Sequence, residues 1–305
     1  MRNKKIKRGR GLKMSYLIGI DIGGTNLRSA VISKEGEIID SFIVENEVSK
    51  GALYNLNKIV HQIIVEWSNY EIEKVGVGVP GPLDIKNGKI LNPPNLKGWE
   101  NFNIKQYLSK MLKLPIKVNN DANVAGFAEA LVGSAKGCES VFYITVSTGV
   151  GGALIMDKKI INGAHSETGE IHNMIINEDE YSHSGLNKGG LEGQCSGVNL
   201  ARIAGEAYGR NVSTKVLFNL YKKDEEKAVK IIEDWVNNIS TGIANIISVL
   251  DPEVLVIGGA VLIYNQYILV QIIECVKKKV TNHEKVDIRI AKIGENVGLI
   301  GAALL

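Results

Sequence analysis

Two short stretches of this chain carry side chains whose types and spacing could do chemistry. In Asn119-Asn120-Asp121-Ala122-Asn123 a carboxylate sits where the β-like run IKVN meets the helical run VAGFAEALVG. Asp and Asn are favoured helix N-caps, so one reading of Asp121 is structural. The other is catalytic, because an aspartate at a helix N-terminus is held ionised and can accept a hydroxyl proton. The local residues leave both open. The stretch HSETGEIH, residues 165–172, places His165, Glu167, Glu170 and His172 around Gly169. A metal site, an acid–base pair and a polar loop all fit that composition.

Glycine turns form the second kind of signal. IGIDIGGTNLRSAVI and YITVSTGVGGALIM both read as strand, glycine turn, strand, with small polar residues at the turn. Two such hairpins, 125 residues apart, point to duplicated α/β lobes facing one cleft. Their turns expose backbone N–H groups that can cradle phosphate. Gly76-Val77-Gly78-Val79-Pro80-Gly81 also satisfies G-x-G-x-x-G, the dinucleotide fingerprint. That fingerprint needs a helix opening at its glycines. Here Pro80 and Pro82 make a rigid turn and the β-like DIKNGKIL follows, so NAD binding is rejected.

The elements that must hold these residues follow from periodicity. After the first hairpin, EIIDSFIV is a third strand, and a helix spans about Leu53 to Trp67 with Leu53, Leu56, Ile59, Val60, Ile63 and Ile64 on one face. Segment 163–197 lacks periodicity and reads as irregular. Helices dominate from Val198 to Leu250, the longest with Val229, Ile232, Trp235, Ile239, Ile243, Ile246 and Leu250 as a core stripe. The strand VLVIGGAV, a helix near 267–280, the strand VDIRIA and a final helix complete the chain.

Bulk properties narrow the function. The 305 residues, 45% hydrophobic and 23% charged, suit a two-lobed α/β enzyme. The net charge is +3, but seven cations precede Met14, which leaves −4 for the remainder. That basic arm suits nucleic-acid phosphates or a mere extension ahead of an alternative start at Met14, and the second is preferred. No apolar signal region or membrane span is expected. Cys138, Cys195 and Cys275 are odd in number and far apart, which points to reduced thiols and a cytoplasmic protein.

DIGGTN, VPGP, NDAN, STGVGG, TGEI, LE followed by SG, and VIGGA occur in the order and spacing of the ROK family of sugar kinases and repressors, and the chain resembles that family from Tyr16 to its end. The resemblance implies an α/β, two-lobed, actin-like (ribonuclease H-like) fold with an ATP/sugar cleft between lobes. The expected boundaries are a 1–14 extension, a 15–120 small lobe completed by about 292–305, and a 121–291 large lobe. It implies ATP phosphates at Gly23, Gly24, Thr25, Thr148, Gly149, Gly151 and Gly152, Asp21 near Mg²⁺, and Gly258 and Gly259 near the nucleoside. Sugar contacts are implied at Gly81, Asn95, Asn120, Asp121, Glu170, Asn173 and Glu192, with Asp121 the base. Glu167 and His165 match no binding position and read as a solvated loop face.

The chain departs from the family pattern at its structural zinc. Asn173 stands where the zinc histidine belongs, and His183, Gly185 and Gly190 stand at three cysteine places. Tetrahedral zinc needs four ligands, so HSETGEIH is expected to be a sugar-binding loop, with ATP and Mg²⁺ as the only cofactors. The expected activity is phosphorylation of the 6-hydroxyl of a hexose or N-acetylhexosamine. N-acetylmannosamine comes first, because some zinc-less relatives act on it, and glucose second. A non-catalytic sugar sensor or regulator is the competing class. Retention of Asp121, both turns and both glutamates argues for the enzyme, and the roughly fifteen residues before the strand that carries DIGGTN are too few for a helix-turn-helix, so no specific nucleic-acid partner is expected. A homodimer is what the family implies.

Overall fold

The computed structural model describes residues 15–93 and 96–305. The basic arm and Asn95 lie outside the described residues. Contacts divide the chain into two compact units, one running to Asn119 and including Ala302–Leu305, the other Asn120–Gly301.

In the first unit, β1 (Ser15–Ile22), β2 (Asn26–Ile32) and β3 (Ile38–Glu45) form an antiparallel meander. Ile18, Ile20 and Ile22 line one face of β1, and Leu17 and Gly19 on the other face are buried as well, as befits the central strand of the sheet. Helix α1 (Gly51–His61) buries Ala52, Leu56, Ile59 and Val60 at helical spacing. It is shorter than its periodicity predicts. The chain widens into one π-type turn over Gln62–Glu66, closed by Trp67 N–H donating to Gln62 O at 3.0 Å. That adjustment lets the buried Trp67 indole donate to Asp40 Oδ2 at 2.9 Å.

β4 (Glu71–Val79) runs parallel to β1 and leads through a cis Gly81–Pro82 bond into the ribbon β5 (Leu83–Asp84) and β6 (Lys89–Ile90). No helix opens at Gly76–Gly81. Gly76 has a packing reason instead, since a Cβ there would lie 1.7 Å from the Ala302 carbonyl oxygen. α2 (Ile104–Leu112), capped by Asn103, and β7 (Ile116–Asn120) finish a sheet of order β3-β2-β1-β4-β7.

The second unit repeats that order. It contains α3 (Asp121–Leu131), the hairpin β8 (Ser140–Val146) and β9 (Val150–Met156), and β10 (Lys159–Ile160). The helices α4 (Leu191–Cys195), α5 (Gly197–Tyr208), α6 (Thr214–Tyr221) and α7 (Glu226–Leu250) follow. β11 (Val254–Gly258), α8 (Ala260–Ile263), α9 (Leu269–Lys277), β12 (Ile288–Ile290) and α10 (Val297–Leu304) close the chain. The sheet order is β10-β9-β8-β11-β12, again a hairpin extended by parallel strands on one side. α7 buries Ile232, Trp235, Ile239, Ile243 and Ile246 as the stripe predicts, while Leu250 at its end is exposed. Among the described residues no helix is long and apolar enough to cross a membrane.

Glu129 is fully buried on α3, yet its carboxylate accepts three backbone N–H groups at 2.8 Å, from Ser134, Lys292 and Ile293. Removing it leaves three part-buried backbone N–H groups without their acceptor. Glu129→Ala is expected to destabilise the protein by about 3 kcal/mol or more, at roughly 1–3 kcal/mol for each unsatisfied group. Urea unfolding followed by circular dichroism measures this, and a change under about 1 kcal/mol would contradict the account.

Candidate active site

In the first unit Gly23-Gly24-Thr25 is the turn joining β1 to β2. Gly23 N–H donates to Asn26 O at 2.9 Å. Asn46, buried just beyond β3, donates from its side chain to Gly23 O at 2.7 Å and from its backbone to Thr25 O at 2.8 Å. Two turn carbonyls, which would repel phosphate, are thereby occupied by donors. Asp21 at the end of β1 is ion-paired with Arg28 on β2, Oδ2 to Nε at 3.3 Å. Burial raises the Asp21 pKa, and Arg28 opposes the rise.

In the second unit, Asn120 holds the N-cap position of α3, with extended backbone and its side-chain oxygen accepting Ala122 N–H at 2.9 Å. Asp121 is the first helical residue, and its Oδ1 accepts the same N–H at 2.8 Å. The two side chains share that donor, and the second Asp121 carboxylate oxygen takes no part in it.

The turn from β8 to β9 gathers the other candidates. Ser147 and Gly149 close it by a backbone bond of 2.9 Å, and Gly197 N–H holds Ser147 O at 2.8 Å. Glu192, in the first turn of α4, accepts Val150 N–H through Oε2 at 2.8 Å. Its carboxylate fills the side-chain space of Gly149, where a Cβ would come within 2.5 Å of Oε2. A Cβ at Gly151 would lie 3.1 Å from Ala122 Cβ, beside Asp121. At Gly152 it would lie 2.9 Å from the oxygen of Gly169, the residue before Glu170. The sequence-predicted glycines thus adjoin the segments that bear Asp121, Glu170 and Glu192. Gly258 ends β11 and Gly259 caps the start of α8. Gly259 has φ +87°, and a Cβ would meet Val146 O at 2.3 Å. At Gly258 a Cβ would lie 2.4 Å from the buried Tyr143 hydroxyl.

The segment expected to be irregular is ordered by specific pairs. His172 Nδ1 lies 3.0 Å from Glu170 Oε2. Asn173 Oδ1 accepts Asn187 N–H at 2.6 Å, and the Asn187 side chain donates back to Asn173 O at 3.1 Å. His183 Nε2 is 3.0 Å from Asn199 Nδ2. These side chains do not fit a zinc site: Asn173 is engaged by backbone, His183 by Asn199, and Gly185 and Gly190 offer no donor side chain. Sequence reasoning missed Asn46, Asn187, Asn199 and Arg202. Each acts through a partner distant in sequence, and nothing local marks it.

Two α/β units built on sheets of one order, with glycine turns at corresponding hairpins, define an actin-like, hexokinase-type architecture. The chain belongs to the ROK family, whose model matches residues 17–305. A solved ROK hexokinase from Thermus thermophilus is 29% identical, with a TM-score of 0.88 over 95% of this chain and 97% of that one. A ROK glucokinase from Streptomyces griseus, solved with glucose and AMPPNP, is 26% identical, with a TM-score of 0.77 over 95% and 98%. An N-acetylmannosamine kinase from Haemophilus influenzae is 28% identical over 94% of this chain and 93% of its own.

The His172–Glu170 pair makes a measurable claim. The hydrogen bond from the ring to the Glu170 carboxylate raises the His172 pKa above its ordinary 6.5, against an opposing burial effect. A raised folded-state value means that the pair's stabilisation is complete below the unfolded value and is lost as pH rises through the folded one. An NMR titration is expected to place the His172 midpoint above 6.5 and to return it toward 6.5 in Glu170→Ala. An unchanged midpoint in that variant would dissolve the pair.

Proposed function

We propose that this chain is an ATP-dependent kinase that transfers a phosphoryl group to the 6-hydroxyl of a hexose or N-acetylhexosamine. Family membership supports it, as do a hexokinase, a glucokinase and an N-acetylmannosamine kinase among its relatives. The observation that carries the reading is the crowding at the β8–β9 turn. Gly149, Gly151 and Gly152 are approached by Glu192, by the residue after Asp121 and by the residue before Glu170. Phosphoryl transfer is mainly positioning and charge stabilisation, so a turn shared by acceptor-binding and phosphate-binding groups suits it.

In this reading Glu170 and Glu192 accept hydrogen bonds from sugar hydroxyls, and Asp121 accepts the proton of the attacking hydroxyl. Gly81, Asn95, Asn120 and Asn173 complete the sugar contacts. The Asn173 carboxamide, already bonded to Asn187, contributes chiefly by shaping the loop. ATP phosphates lie against Gly23, Gly24 and Thr25 and against Thr148, Gly149, Gly151 and Gly152, with the nucleoside at Gly258 and Gly259. Val150 N–H is committed to Glu192 and takes no part. Asp21 fits Mg²⁺ as a single oxygen-donor side chain, since that ion takes most of its ligands from phosphates and water. Bound there, Mg²⁺ neutralises charge developing on the phosphates. Structural zinc has no place in the proposal. N-acetylmannosamine is the first candidate acceptor and glucose the second, in a cytoplasmic homodimer without nucleic-acid partners.

A coupled ATP-consumption assay over a panel of hexoses and N-acetylhexosamines tests the activity. Turnover with none of them, despite sugar binding, would turn the reading to a sensor. Asp121→Asn is expected to lower kcat by at least about a hundredfold with little change in sugar affinity, within the 10²–10⁴ range of general-base contributions. Near-normal turnover would remove Asp121 from the mechanism. Glu170→Ala and Glu192→Ala are expected to raise the sugar KM by one to two orders of magnitude, about 1.5–3 kcal/mol for a hydrogen bond to a charged group. Unchanged sugar binding by calorimetry in either variant would refute that residue's role.

A further inference from the structure

Arg202 lies on α5, and its guanidinium makes contacts on every side. Its guanidinium carbon stacks 3.5 Å from the centre of the Tyr181 ring. Nη2 donates to Gly193 O at 3.2 Å, Nε to Asn199 Oδ1 at 3.2 Å, and Nη1 to both Glu206 oxygens at 3.0 and 3.1 Å. Asn199, almost fully buried, donates to Glu192 O at 3.0 Å. The other side of the cluster is His183, whose ring packs on Tyr181 with centroids 5.6 Å apart.

These contacts have one thing in common. Arg202 holds the carbonyl after Glu192 directly and the carbonyl of Glu192 through Asn199. The Tyr181 ring, gripped by the guanidinium, lies 3.6 Å from where a Gly193 Cβ would stand. The backbone of residues 192–193 is therefore fixed from the α5 side, while the Glu192 carboxylate is fixed at Val150 N–H on the other. A glutamate tied at both ends has few rotamers left, which is what orientation of a binding group demands. His183 Nε2 is 3.8 Å from Glu192 Oε1, beyond hydrogen-bond reach, and packs beside the carboxylate.

We propose that Arg202 and Tyr181 are positioning residues for Glu192, and that the guanidinium–ring clamp sets sugar affinity without touching sugar. This rests on the reading of Glu192 as a sugar-binding carboxylate. The clamp needs the ring and not its hydroxyl, because the attraction is between cation and π-face.

The test is steady-state kinetics and sugar calorimetry on Arg202→Met, Tyr181→Leu, Tyr181→Phe, Glu192→Ala and the Arg202→Met/Glu192→Ala double variant. Arg202→Met and Tyr181→Leu are expected to raise the sugar KM about tenfold while the KM for ATP and kcat stay within about threefold. Tyr181→Phe is expected to match wild type, and the double variant to bind sugar no worse than Glu192→Ala alone. Hydrogen exchange of the 178–193 amides should quicken in Tyr181→Leu, which reports on the clamp even if Arg202→Met folds poorly. Normal sugar affinity in Tyr181→Leu with faster exchange, or additive losses in the double variant, would overturn the proposal while leaving Glu192 in place. Normal affinity in Glu192→Ala would overturn the reading of Glu192 itself, and this inference with it.

Discussion

Gly149, Gly151 and Gly152, around the start of β9, leave no room for side chains, and much of the second unit is arranged around that fact. Gly149 admits the Glu192 carboxylate and Gly151 admits the first turn of α3. Gly152 and Gly169 meet backbone to backbone. A Cβ on Gly169 would lie 2.4 Å from Gly152 O, and its φ of +92° is in any case disfavoured for other residues. A loop docked through its own main chain is located more tightly than one docked through long side chains, which must first lose rotamer freedom. The position of Glu170 is consequently set by backbone geometry, whereas Glu192 is held through its own carboxylate at Gly149 and Val150 N–H.

Glycines of a similar look do different work elsewhere, which limits what a glycine motif can say alone. Gly76 belongs to a sequence that satisfies the dinucleotide fingerprint, yet it exists to let the Ala302 carbonyl close on β4 within the first unit. Gly301 does the same in the second unit, where a Cβ would lie 1.8 Å from Val124 O. At Gly23 the nearest approach is a looser 3.2 Å, from Asn26 O. What separates a candidate phosphate turn from a packing glycine is where the neighbouring carbonyls go. At Gly23 and Thr25 they are taken up by Asn46.

The legible part of the protein was the part encoded by short-range pattern. Alternating isoleucines in β1, the stripe on α7 and the echo of two glycine hairpins led to the repeated sheet order. The junction at Asp121 was legible as a helix start, but not the sharing of one N–H by Asn120 and Asp121. Residues 163–197 were opaque for a physical reason. They have no periodic apolar face, and their order comes from single polar contacts such as Asn173 with Asn187 and Arg202 with Gly193. Such pairs leave no trace in a local window. The premature end of α1 was hidden similarly, because the Trp67–Asp40 bond that accompanies the π-type turn joins residues 27 apart.

The contacts that order this loop are single hydrogen bonds and a guanidinium–ring stack, and they set its energetics. Structural zinc contributes on the order of 10 kcal/mol or more to the segment it organises. Here a neutral hydrogen bond contributes about 1 kcal/mol and an exposed cation–π contact about 0.5–1 kcal/mol. Several such contacts together still fall short of a metal centre. The loop between Glu170 and Glu192 therefore belongs among the more easily opened parts of the molecule, whereas the β8–β9 hairpin beneath it is buried in the main core. In the proposed kinase, a rigid floor at the β8–β9 turn would keep the reacting groups aligned, while the more readily opened segment bearing Glu170 and Glu192 would admit and release the acceptor.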